Sequence, residues 1–316
     1  MITFNDVQLA AEKVLPYVRR TPLWKSETLS NQLGTNVYLK MELFQKTGSF
    51  KPRGAFNQIL ARGKDILEKG AVAFSGGNFA QGVAYASRVL GVDTIICMPE
   101  NTPQNYVDAT RGYSATIDFS PNIQVAVKRY NDLADQGRIA LHPFDNQYQM
   151  SGAGTVALEI FEDLPEITDL VISIGGGGLI SGNTVAIKGL KPQVRVWGVE
   201  TEEAASMKSA LDAGKVVNIT PTSLSKTLGA PFVAQDALSI AKEHLEELLI
   251  VSDKKAIEAQ QLILERTKVM PELAASCTLA AVETIKDTFG PDDNLVLLMC
   301  GGNESVTNLV NYTKIV

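Results

Sequence analysis

Residues 46–58 read KTGSFKPRGAFNQ, a stretch in which a lysine, Lys51, lies between turn-forming residues on one side and Pro52, Arg53 and Gly54 on the other. Thr47, Gly48 and Ser49 predict an irregular segment, with Ser49 the expected N-cap of a helix running through Ala55, Ile59 and Leu60. Lys51 then falls in the first turn, beside the partial positive charge of the helix N-terminus. An ammonium is disfavoured there, so the neutral, nucleophilic amine becomes accessible. An isolated lysine before a helix would read as an ordinary solvated one. Three further loops change that reading.

SIGGGGLISG (173–182) places Gly175, Gly176, Gly177 and Gly178 between an apolar strand and a helix. Without side chains, backbone N–H groups can converge on an anion at the helix N-terminus. A dinucleotide GxGxxG would require glycine at Ile180 or Ser181, and Gly182 is followed by Asn183 and not by the Lys-Ser/Thr of a P-loop. The loop therefore suggests a phosphate but not a nucleotide, with a packing glycine run as the alternative. SGGNFAQGVA (75–84) is a second strand end opening a helix, again an anion-binding geometry, though alone such a turn is commonly structural. MCGGNES (299–305) puts Cys300 at the end of the last strand, where open α/β sheets place ligand contacts; a small buried hydrophobe is the competing reading.

In order and spacing, KTGSFKPRGA, SGGNFAQGVA, SIGGGGLISG and MCGGNES resemble the fold-type II pyridoxal-phosphate (PLP) enzymes, specifically the serine/threonine dehydratase and serine racemase branch, over nearly the whole chain. The resemblance implies an α/β, two-domain, tryptophan synthase beta-like fold of mostly parallel sheets with helices on both faces. It implies a larger PLP-binding domain from residues 1–46 and 151–316 and a small domain at 47–150. It sets Phe50, Lys51, Asn78, Gly175, Gly176, Gly177, Gly178, Leu179, Gly229 and Cys300 around pyridoxal 5'-phosphate, with Lys51 holding it as a Schiff base. Asn78 would meet its 3'-oxygen and Cys300 its pyridine nitrogen. Ser75, Gly76, Gly77, Asn78 and Phe79 would surround the substrate, whose carboxylate belongs on the SGGN turn.

Composition fits this picture and excludes others. The net charge of −6 argues against nucleic acid, which demands a concentrated basic surface. No apolar run approaches the roughly 18 residues of a bilayer span, and MITFNDVQLAAEK lacks the pattern of a secretory signal. Cys97, Cys277 and Cys300 are odd in number and widely spaced, which suits a reducing cytoplasm and gives no disulfide framework. With only His142 and His244, a histidine-based metal cluster is excluded, and no metal is expected.

From Phe50 onward, short apolar segments alternate with helical periods: strands at 71–74, 94–98, 115–119, 169–174, 194–200 and 294–299, and helices at 78–90, 103–111, 123–134, 151–164, 254–268 and 273–289. Residues 1–35 read as helix, turn and helix with Val7, Leu9 and Val14 on the apolar face, and 36–42 as a strand. IALHPF (139–144) runs toward a polar loop. Residues 218–233 carry turn chemistry and no period, as a loop lining a site would.

Several positions depart from the family pattern. Gly76 stands where racemases carry a serine acid/base, Phe79 replaces a usual histidine, and Tyr106 a common lysine. Leu228 precedes Gly229 in place of an aspartate, and Met270 replaces a glutamate, with Glu272 two residues on. Glu200 and Ala204 remain from the acidic site some members build, but Ser206 replaces its second acid. The resemblance thus implies a cytoplasmic, homodimeric ammonia-lyase (dehydratase) converting a 3-hydroxy amino acid such as threonine or serine to a 2-oxo acid and ammonia. No C-terminal regulatory domain is expected. An amino-acid racemase or β-replacement enzyme on the same scaffold, and a cofactor-less binding protein, remain as rivals.

Overall fold

Leu170, Val171 and Ile172 in one strand and Leu295 to Leu298 in another are wholly buried, as strands covered by helices on both faces must be. The computed structural model describes residues 1–316. The chain opens with α1 (Phe4–Val14), β1 (Leu23–Lys25), α2 (Glu27–Leu33) and β2 (Asn36–Lys40). Then follow α3 (Lys51–Leu60), α4 (Asp65–Lys69), β3 (Ala71–Phe74), α5 (Asn78–Leu90), β4 (Thr94–Pro99), α6 (Gln104–Gly112), β5 (Thr116–Ser120), α7 (Ile123–Asp135) and β6 (Ile139–Leu141). The remainder comprises α8 (Gln147–Asp163), β7 (Asp169–Ser173), α9 (Gly178–Leu190), β8 (Arg195–Thr201), α10 (Ser206–Ala213), α11 (Gln235–His244), β9 (Glu247–Val251), α12 (Asp253–Thr267), α13 (Leu273–Thr284), β10 (Asn294–Leu298) and α14 (Val306–Tyr312).

Two sheets result. The larger has the order β1-β2-β10-β7-β8-β9 and is parallel except for β1, which runs antiparallel to β2. The smaller, β5-β4-β3-β6, is wholly parallel and comes from one continuous segment. Each has its own apolar core. The functional loops leave β3, β7 and β10 at their C-terminal ends.

The structure corrects several local readings. Leu9 is exposed, and the buried face of α1 is Val7, Ala10 and Val14. The helix expected from Ser151 begins at Gln147, because Asn146 Oδ1 accepts the amides of Tyr148 (2.9 Å) and Gln149 (3.2 Å). The strand at 139 stops at Leu141: His142 Nδ1 accepts the Asp145 amide at 2.8 Å and turns the chain. The last long helix ends at Thr284 and yields to a 3-10 turn at 286–288. The short elements β1, α4, α10, α11, β9 and α14 are not among the elements read from the sequence.

Helices α3, α8 and α9 form a tight stack. A Cβ on Gly182 would lie 1.9 Å from Met150 O, and one on Gly152 would lie 2.5 Å from Arg53 O, so only glycine permits these backbones to meet. Beside the stack lies a fully buried ion cluster. Arg53 contacts Glu42 Oε1 at 2.8 Å and Glu159 Oε1 at 2.7 Å, while Lys40 Nζ meets Glu159 Oε2 at 2.7 Å. Two cations face two carboxylates, so the charges cancel without water. Burial alone would raise Glu159, but Arg53 and Lys40 hold it below the usual carboxylate range. Arg53 is in the first turn of α3, so this cluster anchors the start of the helix that carries Lys51.

Candidate active site

Lys51 is the first residue of α3. Thr47 and Gly48 both take positive φ (63° and 71°), which kinks the segment before it. Ser49 is not the helix cap. It lies extended and pairs with Gly301 in an isolated antiparallel bridge, leaving its buried hydroxyl without a partner. Phe50 occupies the cap position, its amide donating to Cys300 O at 3.0 Å, and Pro52 in the first turn has no amide to satisfy. The bridge and these bonds join the lysine segment to the 300–302 loop.

The Lys51 amine is half-buried. It donates to Pro143 O at 2.8 Å and stands 5.0 Å from the Phe50 ring centre and 5.6 Å from that of Phe79. Burial lowers its pKa to about 8, against the opposing pull of Cys300 and Glu272. A substantial neutral fraction is therefore present near neutrality, as a nucleophile or base requires.

Lys51 opens into a cavity of about 510 Å3 that also receives Ser75, Gly76, Gly77, Asn78, the four-glycine loop, Leu179, Gly229 and Cys300. The amides from Gly175 to Ile180 donate to no acceptor within the protein, although residues 176–180 are buried. Buried N–H groups left open at a helix N-terminus call for an anion. A Cβ on Gly176 would strike the Phe144 ring at 2.2 Å, and one on Gly177 would strike Ala237 Cβ at 2.3 Å, so the loop has no room for side chains. Ser225 adds a buried, unpartnered hydroxyl to the same cavity. This donor set fits a phosphate, with an amine within the same cavity for an aldehyde-bearing cofactor.

Across the cavity, Gly77 N donates to Ser75 Oγ at 3.0 Å, fixing the SGGN turn. The amides of Gly76, Asn78 and Phe79 find no acceptor in the protein. Asn78 Nδ2 donates to Glu272 Oε2 at 2.9 Å, and its Oδ1 accepts from Asn303 Nδ2 at 2.8 Å. Phe79 has two surroundings, the cavity it lines and the core behind it. It is 2% exposed, belongs to the core of the smaller sheet, and reaches the cavity beneath the Lys51 amine.

Cys300 Sγ lies 3.7 Å from both Ser173 Oγ and Glu272 Oε1. Burial and the adjacent carboxyl push the thiol well above its ordinary pKa, so it is a neutral donor. Glu272, in turn, is pushed up to about 7, chiefly by burial and opposed by the Asn78 hydrogen bond. Glu272 and Asn303 are site residues that the motifs did not assign. The signal for Glu272 was an acid in the otherwise apolar run VMPELAAS.

Glu200 accepts the amides of Met207 at 2.7 Å and Lys208 at 2.9 Å, with Ser206 Oγ at 3.3 Å. Its carboxyl thus caps α10, and burial still lifts it to about 7. No group of three or more His, Cys, Asp or Glu side chains is placed to hold a metal ion.

The sequence profile described as pyridoxal-phosphate dependent enzymes matches residues 14–301. The chain is 36% identical over 312 residues to an L-threonine ammonia-lyase of Thermotoga maritima, covering 97% of this chain and 77% of that protein. It is 33% identical to a catabolic L-threonine dehydratase of Staphylococcus aureus, covering 98% and 91% respectively. Among solved structures, maize serine racemase superposes with a TM-score of 0.93 at 29% identity, covering 99% of this chain and 97% of that one.

Proposed function

The chain belongs to the pyridoxal-phosphate dependent enzymes, and from that premise we propose that it is an ammonia-lyase releasing a 2-oxo acid and ammonia from a 3-hydroxy amino acid such as threonine or serine. The observation that carries this reading is the half-buried Lys51 amine, tuned to about 8 and sharing one cavity with the open amides of the glycine loop. Its two similar lyases support the reaction class.

The residues divide the work as follows. The amides of Gly175, Gly176, Gly177 and Gly178, with Leu179, would hold the cofactor phosphate, and Lys51 would hold the cofactor through its amine. Asn78 and Cys300 would flank the ring, with Phe50 and Gly229 closing the cavity. When bound, the cofactor withdraws electrons from the substrate's Cα. Once the substrate amine has displaced it from the cofactor, Lys51 Nζ would be free to take the Cα proton, which its lowered pKa permits. Ser75 and the free amides of the SGGN turn orient the substrate carboxylate. The Cys300 thiol, a neutral donor, would meet the pyridine nitrogen without the charge a carboxylate would impose. Elimination loses the Cα proton and the β-hydroxyl together as water, so the proton that Lys51 Nζ takes would balance the one that leaves with the hydroxyl.

The test is release of 2-oxo acid from serine, threonine and bulkier 3-hydroxy amino acids by the PLP-loaded protein. The racemase reading, favoured by the likeness to maize serine racemase, prevails if D-amino acid accumulates in place of 2-oxo acid.

A further inference from the structure

Gly76 leaves a gap in the wall of the SGGN turn, and the chain fills it from another element. A Cβ on Gly76 would lie 2.5 Å from Thr102 Oγ1, with Thr102 Cβ and Cγ2 both 3.5 Å away. Thr102 lies between β4 and α6, its amide bonded to Pro99 O at 3.1 Å. Its half-buried hydroxyl lines the cavity and makes no hydrogen bond within the protein. The segment is not loosely placed. Four residues on, the Tyr106 hydroxyl donates to Asn303 O at 2.6 Å, and Asn303 Nδ2 donates to Asn78 Oδ1 at 2.8 Å and Thr47 O at 2.7 Å. Thr102 is thereby held against Gly76, in the cavity that Gly76, Asn78 and Phe79 also line.

A free hydroxyl beside Gly76, in the cavity that the unpaired N–H groups of the SGGN turn share, adds a donor for an anion, and it comes from outside the motif that supplies the amides. We propose that Thr102 is a substrate-binding residue, donating its hydroxyl to the substrate carboxylate seated on the SGGN turn and doing from the adjoining loop what residue 76 cannot. This deepens the lyase reading and rests on it for the identity of the ligand. Tyr106 is the positioning residue that keeps the Thr102 segment against the turn.

The test uses the PLP-loaded enzyme and two readouts: the change in the cofactor's visible absorbance on titration with serine or threonine, and kcat and KM for 2-oxo acid release. Thr102→Val keeps shape and removes the donor. It is expected to weaken binding and raise KM about tenfold or more, as loss of a hydrogen bond to a charged group does, with kcat changed far less. Thr102→Ser should retain binding. Gly76→Ser in a Thr102→Ala background returns a hydroxyl from the turn itself and should recover most of the loss. Thr102→Val with unchanged affinity overturns the proposal, as does Thr102→Ser losing as much as Thr102→Val. An enzyme that binds 3-hydroxy amino acids but releases no 2-oxo acid sinks the lyase reading alone, since the titration still reports on Thr102. One that binds none of them overturns both.

Discussion

Asn78 Nδ2 donates to the Glu272 carboxyl at 2.9 Å, tying the first residue of α5, beside the smaller sheet, to the start of α13, which packs on the larger one. The pair is 194 residues apart in sequence and almost fully buried.

Glu272 makes stability depend on pH in a definite direction. Its folded pKa of about 7 exceeds the ordinary 4.5, so the folded state holds a proton that the unfolded chain releases. Its contribution is complete below about pH 4.5 and is lost as pH rises toward 7. Glu200 shifts in the same window. Urea unfolding of the apoprotein at a series of pH values should show stability falling across that range. Glu272→Gln should flatten the slope by an amount on the order of 2–3 kcal/mol, and an unchanged slope would show that another group titrates there.

Lys51→Ala is expected to abolish turnover and covalent retention of the cofactor. Borohydride treatment of the loaded wild type followed by peptide mapping should label Lys51, and a label on any other residue defeats the assignment. In the apoprotein, amine-directed modification of Lys51 should show a midpoint near pH 8, below that of ordinary lysines.

At Gly176, steric and electrostatic effects can be separated. Gly176→Ala must displace the Phe144 ring, at about 1–3 kcal/mol of stability. Gly176→Asp adds a negative charge where a phosphate dianion would sit, and should weaken PLP binding well beyond the alanine variant. Fluorescence titration with PLP decides: equal affinities for the two variants would remove the phosphate from this loop.

Divalent cations should have no role at Glu200. Both its oxygens are committed to the N-terminus of α10. Chelation with EDTA and addition of Mg2+ should each leave Tm and activity unchanged. Ser206→Asp would set a second carboxylate beside the first, lowering Tm in EDTA and recovering it with a divalent cation. A Tm of the unmodified protein that falls in EDTA contradicts this.

Arg53→Met removes the cation shared by Glu42 and Glu159 and leaves Lys40 alone with two buried carboxylates. A loss of about 3–5 kcal/mol is expected in urea unfolding at neutral pH. Adding Glu42→Gln should recover part of it, because one uncompensated charge is removed.

The site loops were legible because their signals are local. A glycine run between a buried strand and a helix, and a lysine beside Pro52, carry their geometry within ten residues. Helix α5 shows its period along its whole length and was read at its observed bounds, Asn78–Leu90. What escaped depends on partners far away in the chain. Ser49 has good capping chemistry, but its backbone is taken by the bridge to Gly301. Phe79 lines the cavity, but its membership of the smaller sheet's core with Val83 and Ala80 shows only in the assembled fold. The filling of the Gly76 gap by Thr102, and the meeting of Cys300 with Glu272, are tertiary relations that no single segment contains.

The close contacts among α3, α8 and α9 bear on how the molecule breathes. With Gly182 against Met150 O and Gly152 against Arg53 O, these helices cannot separate by small adjustments. Amide hydrogens in the middle of the stack should therefore exchange with solvent only when the whole fold opens. The Thr102 segment is held in place by the Tyr106 bond, the Glu100 amide on Ser120 O and backbone turns, a few bonds that can open locally without the stack, so its amides can exchange by local opening. Deuterium uptake should divide the cavity accordingly, with the lysine carried on its slowest-exchanging wall and substrate admitted past its fastest.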